Sequence, residues 1–259
     1  MKKFIAVIFA LITFSVIDAQ IFTTVIDEQA LQMRVKQIDE FFSRFNYECD
    51  FLGKEVSRDT SLINNLERRK NTLIALLNFD KYYKNNNIDS VAGEFIDFVI
   101  KENKRIAYTD TNWYAEVSSS FTMNGKKYPL TFILHTEQLK DVIYKWVIAD
   151  VRCEQFDFLN DSINSQLSIF PGAHGASFIS VPDAINLNTS NVRSFFRKDY
   201  KPDRLSLFEE FVRKRQIKIG SITKVTYKFN LGKYKFTVEH IEKGDSYNNG
   251  WLVNEIVKQ

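Results

Sequence analysis

The spacing of apolar residues changes once along this chain, near Trp113, and that change fixes the class of fold open to it. Upstream the period is helical. Within residues 27–46, Val35, Ile38, Phe42 and Phe45 recur at three- and four-residue steps, the stripe of an amphipathic helix. Residues 57–78 repeat the pattern with Leu62, Leu66, Leu73 and Leu77 on one face and Glu67, Arg68 and Lys70 off it. After a polar break at 84–87, Ser90 is placed to cap a third helix, with Glu94 in its first turn favouring the positive end of the dipole. Its stripe is Val91, Phe95, Phe98 and Val99.

Downstream the period is two. Trp113, Ala115, Val117, Phe121 and Met123 alternate with Tyr114, Glu116, Ser118, Ser120 and Thr122, as in a strand with one buried face. Asn124-Gly125 then supplies a two-residue hairpin, since both residues tolerate positive φ. Leu130, Phe132 and Leu134 mark the next strand. Residues 144–153 are apolar on both faces, which predicts a strand covered on both sides. Helices followed by an antiparallel meander make the expected class α+β, with helices packed on a curved sheet.

The second half repeats this order. Residues 155–200 are irregular and read as a linker or insertion with one or two short helices. Pro202 and Asp203 open a helix whose inner face is Leu205, Phe208 and Val212. Arg213, Lys214 and Arg215 complement its C-terminal end, so this basic cluster needs no ligand. Phe95-Ile-Asp-Phe98-Val99 matches Phe208-Glu-Glu-Phe211-Val212, Asn124-Gly125 matches Leu231-Gly232, and Trp146-Val-Ile-Ala-Asp150 matches Trp251-Leu-Val-Asn-Glu255. Strands are expected near 223–231, 233–242 and 251–258. The chain thus divides into 1–19, a unit at 20–154, the linker at 155–200, and a second helix-plus-meander unit at 201–259 packed on the first.

Residues 1–19 have the order of a secretory signal: Lys2 and Lys3, an apolar run from Phe4 to Ile17 broken only by Thr13 and Ser15, and the small residue Ala19. The run is too short to cross ~30 Å of hydrocarbon at 1.5 Å per residue. Export to the periplasm or beyond is therefore expected, with no membrane span once the signal is cleaved. In that setting Cys49 and Cys153 could join, or both could be small buried apolar residues. The 44% hydrophobic content and 23 Phe exclude a disordered or low-complexity chain. The net charge of +3 comes from interspersed signs without a basic stripe, which argues against nucleic acid as a partner.

Helices preceding a curved meander with Trp in its last strand resemble the cystatin-like roll of the nuclear transport factor 2-like superfamily, chiefly over residues 27–153. Tyr227-Lys-Phe229, Phe236-Thr-Val238-Glu-His240 and Asn249-Gly250-Trp251-Leu252 are also similar to motifs of exported Bacteroidetes proteins of this build. The resemblance implies a cavity between sheet and helices. In some members that cavity holds an acid or base; in many others it binds without chemistry.

Few side chains invite catalysis. His240 is expected to approach Val253 and lie one diagonal from Glu255, where an acid–base pair could form. His135 lies on a matched strand but one residue out of step, so it should face the other way. His174 sits in the loop Pro171-Gly-Ala-His174-Gly175, where a side chain could be presented. Asp150 occupies the position matching Glu255, and with Tyr114 or Trp146 it could imitate a cavity acid; Arg152 offers it a simple ion pair. No metal, nucleotide or dinucleotide motif is present in the sequence, and no cofactor is expected. The reading that follows is an exported, non-catalytic domain that binds a small molecule, peptide or glycan, with self-association through the sheet an open option. The alternatives are a small hydrolase or isomerase using His174 or Asp150, and a structural envelope component.

Overall fold

The computed structural model describes residues 38–56, 66–140, 143–156, 181–196, 203–244, 246 and 248–259. The expected signal, the beginnings of the first two helices and the loop carrying His174 lie outside the described residues. Among the described residues four helices come first: α1 (Ile38–Phe45), α2 (Leu66–Ala75), the single turn α3 (Phe79–Tyr82) and α4 (Ser90–Lys101). The polar break is a minimal hairpin, β1 (Tyr83–Lys84) against β2 (Asn87–Ile88). A meander follows, β3 (Trp113–Met123), β4 (Lys126–Lys140) and β5 (Ile143–Arg152). Then come α5 (Val181–Leu187), a 3-10 helix at Thr189–Phe195, and α6 (Arg204–Arg213). The chain ends with β6 (Ile217–Ile219), β7 (Lys224–Leu231), β8 (Tyr234–Ile241) and β9 (Gly250–Lys258). The fold is α+β, with an open sheet.

The two meanders form one antiparallel sheet in the order β5-β4-β3-β7-β8-β9, joined along their first strands, while β6 pairs with the far end of β3. Each last strand carries a bulge at the matching place. Ile133 faces Asp150 but Leu134 faces Ile148, which leaves Ala149 unpaired; Thr237 faces Glu255 but Val238 faces Val253, which leaves Asn254 unpaired. An extra residue shifts every later side chain to the opposite face. The hairpins are where the sequence places them: Asn124 and Gly125 have φ of 51° and 77°. At the matching turn Gly232 has φ of 65°, and a Cβ there would stand 3.1 Å from the Phe98 ring.

The core lies on one face of the sheet, where the odd-numbered residues of β3 point. Its larger cluster joins Phe41, Phe42, Phe45, Leu73, Phe95 and Val99 of the helices, and Leu77 just after α2, to Trp113, Phe229, Tyr234, Phe236 and Val253 of the sheet. Rings fill it: Phe236 stacks on Phe229 at 4.7 Å and on Phe45 at 5.8 Å, and Trp113 stacks on Phe229 at 5.5 Å. A smaller cluster joins Phe121, Leu130, Val151 and Phe156 to Leu205, Phe208 and Phe211 of α6. The helices are crossed over relative to the chain. Helix α4, which precedes the first meander, packs Phe95 on Tyr234 and Phe236 of the second. Helix α6, which precedes the second, packs Phe208 on Phe132 of the first.

Several expectations need correction. Strand β5 is an edge, and Ile143, Trp146 and Ile148 are exposed, so its apolar residues are not a sign of cover on both faces. The cap of α4 is Asp89, one residue before Ser90; its carboxylate accepts the amide of Val91 at 2.9 Å. Leu66, Val91 and Val212 are exposed, because each helix rests on a neighbouring stripe: Thr72–Leu73 in α2, Ala92–Ile96 in α4 and Leu207–Phe211 in α6. Both cysteines are free thiols. Cys153 is buried beside Gln155, while burial and then the carboxylates of Glu55 and Glu48 push the Cys49 thiol up.

Candidate functional site

The bulges decide where the candidate acids stand. His240 faces Trp251, its ring 5.4 Å away edge-on, on the core side of the sheet. Past the extra residue Asn254, Glu255 faces Thr237 on the outer side. The expected His240–Glu255 pair therefore does not form. Asp150 is displaced in the same way: Trp146 is on the core side, packed edge-on to Trp113 at 5.1 Å, while Asp150 is outside. One Asp150 oxygen accepts the amide of Val151 at 2.7 Å, and Arg152 bonds Glu116 at 2.8 Å, so the anticipated Asp150–Arg152 pair is replaced. His135 lies outside, stacked on Tyr114 at 5.4 Å, opposite in sense to His240 as alternation requires. His174 lies outside the described residues.

What converges instead is a groove of about 440 Å³ on the outer face. Four neighbouring strands supply it through their outward positions: Tyr114 from β3, Lys228 and Asn230 from β7, Lys235 and Thr237 from β8, Glu255 and Val257 from β9. The pairing places Tyr114 opposite Lys228, Asn230 opposite Lys235, and Thr237 opposite Glu255. Lys228 is held at its rim by Glu116 at 3.0 Å, and Glu116 also takes Arg152. Further along, Glu239 receives Lys224 at 2.9 Å and the Asn254 amide at 3.1 Å. Lys235 and Glu255 have no ion pair among the described residues. The groove therefore presents an aromatic ring, two lysines of which Lys228 is already paired, one anion, two neutral polar groups and the apolar Val257.

This set can hold a ligand by contact and charge, but it contains no nucleophile paired with a base. The core face gives no better catalytic case. Tyr108 donates to Asp39, stacks on Phe42 at 4.3 Å, and is held protonated by burial and that carboxylate. Tyr227 is likewise pushed up by burial and then by Asp39. Among the described residues no three His, Cys, Asp or Glu side chains gather as metal ligands would.

Sequence reasoning named Tyr114 and Glu255 but paired them with the wrong partners, and it missed Lys228 and Lys235. Alternation marks both lysines as outward. Only the pairing of β3 with β7, more than a hundred residues away in sequence, sets Lys228 opposite Tyr114, with Lys235 on the next strand. No family profile, curated protein or solved structure matches the chain.

Proposed function

We propose that the chain is an exported, non-catalytic binding domain of the nuclear transport factor 2-like build, which takes a small molecule, peptide or glycan on the outer face of its sheet. The observation that carries this reading is the groove that Tyr114 shares with Lys235 and Glu255, which stand on adjacent strands with no ion pair among the described residues. Exposed opposite charges sharing a groove with an aromatic ring orient a polar ligand, while stacked rings fill the space between sheet and helices around Phe229. The signal-like order of residues 1–19 supports export.

A panel of glycans, peptides and metabolites tested by thermal shift checks it, since a ligand that prefers the folded state raises the melting temperature. A stabilising compound whose effect disappears in Lys235→Ala and Tyr114→Ala is expected. A flat response across the panel, or a shift both variants retain, overturns the reading. A second reading, an assembling envelope component, is favoured by the bare edge of β5.

A further inference from the structure

We propose that the free edge of β5 seats a second copy of this chain, joined antiparallel about a twofold axis at Val147, so that two sheets continue as one. The proposal uses none of the groove residues and stands apart from the ligand reading.

The two ends of the sheet are treated differently. At β9 the chain after α2 lies along the edge: Asn78 donates its amide to Val253 O at 2.9 Å, and Val253 donates to Leu76 O at 2.7 Å. Nothing among the described residues pairs with the outer edge of β5. Exposed strand edges normally carry charges that discourage pairing. Here such protection is confined to one end, where Asp150 turns one oxygen onto the Val151 amide. Before the bulge, residues 143–149 contain a single charge, Lys145, and large apolar side chains gather there: Ile143 is 56% exposed, Trp146 44%, Ile148 41%, and Leu139 of the adjoining strand 57%.

The stretch is complementary to itself, as a twofold interface must be. With Val147 opposite its own copy, Trp146 lies over Ile148 of the second chain on the core side, twice. On the outer side Lys145 meets Ala149 and the Asp150 beside it, whose second oxygen has no partner among the described residues, again twice. Apolar residues cover apolar residues, each Lys faces an Asp, and the two copies of Lys145 stand four residues apart along the pair. A register centred on Trp146 would instead set the two Lys145 side chains diagonal to each other, which is unfavourable.

Sedimentation velocity on the purified chain over a range of concentrations tests this. The expected species has twice the mass of the 30.3 kDa chain. Lys145→Asp and Asp150→Lys should each weaken association about tenfold, and the double exchange should restore it, because the charges are then swapped rather than lost. Val147→Cys should cross-link to its own copy under oxidation, since directly opposed residues on antiparallel strands come within disulfide reach. A monomer at every concentration overturns the proposal. So does a dimer that neither charge variant weakens and that Val147→Cys fails to cross-link; that outcome places the contact elsewhere. Circular dichroism of the variants separates lost association from lost fold.

Discussion

Strands β5 and β9 close opposite ends of one sheet with the same device: a Trp on the core side, three residues, and then an acid thrown outward by a bulge. Beyond that they diverge. The β9 end lies under three helices and is sealed by asparagines: Asn248 donates to Leu77 O at 2.7 Å and accepts the Phe79 amide at 2.9 Å, and Asn254 links Asn78 to Glu239. The β5 end rests on a small cluster, and among the described residues its edge is unpaired. The repeated meander thus sets backbone geometry, while the non-repeated segments around it decide which surfaces are closed. A matching strand is not a matching environment.

The largest effect should separate the two clusters. Phe236→Ala is expected to cost about 3–5 kcal/mol in chemical denaturation, because its ring packs against Phe45, Phe95 and Phe229. Phe156→Ala, which opens a smaller cluster with Phe121 and Phe211 around it, should cost less. Equal losses would erase the distinction. Next comes the seal. Asn248→Ala leaves the Leu77 carbonyl and the Phe79 amide without this partner, and about 2–3 kcal/mol should be lost. Its effect should appear first as faster amide exchange at Val253 and Asn78.

Smaller effects compare the two caps. Asp89→Ala should lower stability by about 1 kcal/mol through loss of the α4 cap. At α6 the cap can be removed with acid. The amide and hydroxyl of Ser206 hold the Asp203 carboxyl below the usual range. A carboxyl depressed in the folded state stabilises above its unfolded value, near pH 4, and that contribution fades as pH falls through the folded value. Exchange of the first amides of α6 should quicken over that acid window, while the same amides in Asp203→Asn should respond less to pH. Smallest of all, Leu139→Lys, near the end of β4, should change stability by no more than ~0.5 kcal/mol.

The period change at Trp113, the Asn124-Gly125 turn and the matching Trp-bearing strands are local patterns, and they placed the strands of both meanders within a few residues, while the second helix ends at Ala75 rather than at 78. The errors share a cause. A bulge is one residue of surplus visible only against a paired strand, so plain alternation sets Glu255 and Asp150 on the faces of Trp251 and Trp146, whereas Asn254 and Ala149 move them across. Apolar Ile143, Trp146 and Ile148 look the same in sequence whether covered or bare. The groove needed β3 beside β7, a pairing that no local pattern specifies.

The crossing of α4 and α6 ties the halves together mechanically. Each helix is the lid of the other half's meander, so neither half could be lifted out with its apolar face shielded. A chain nicked at Asn188 would remain a single particle, its fragments clasped like folded arms, and either fragment made alone would expose the rings that its missing counterpart covers.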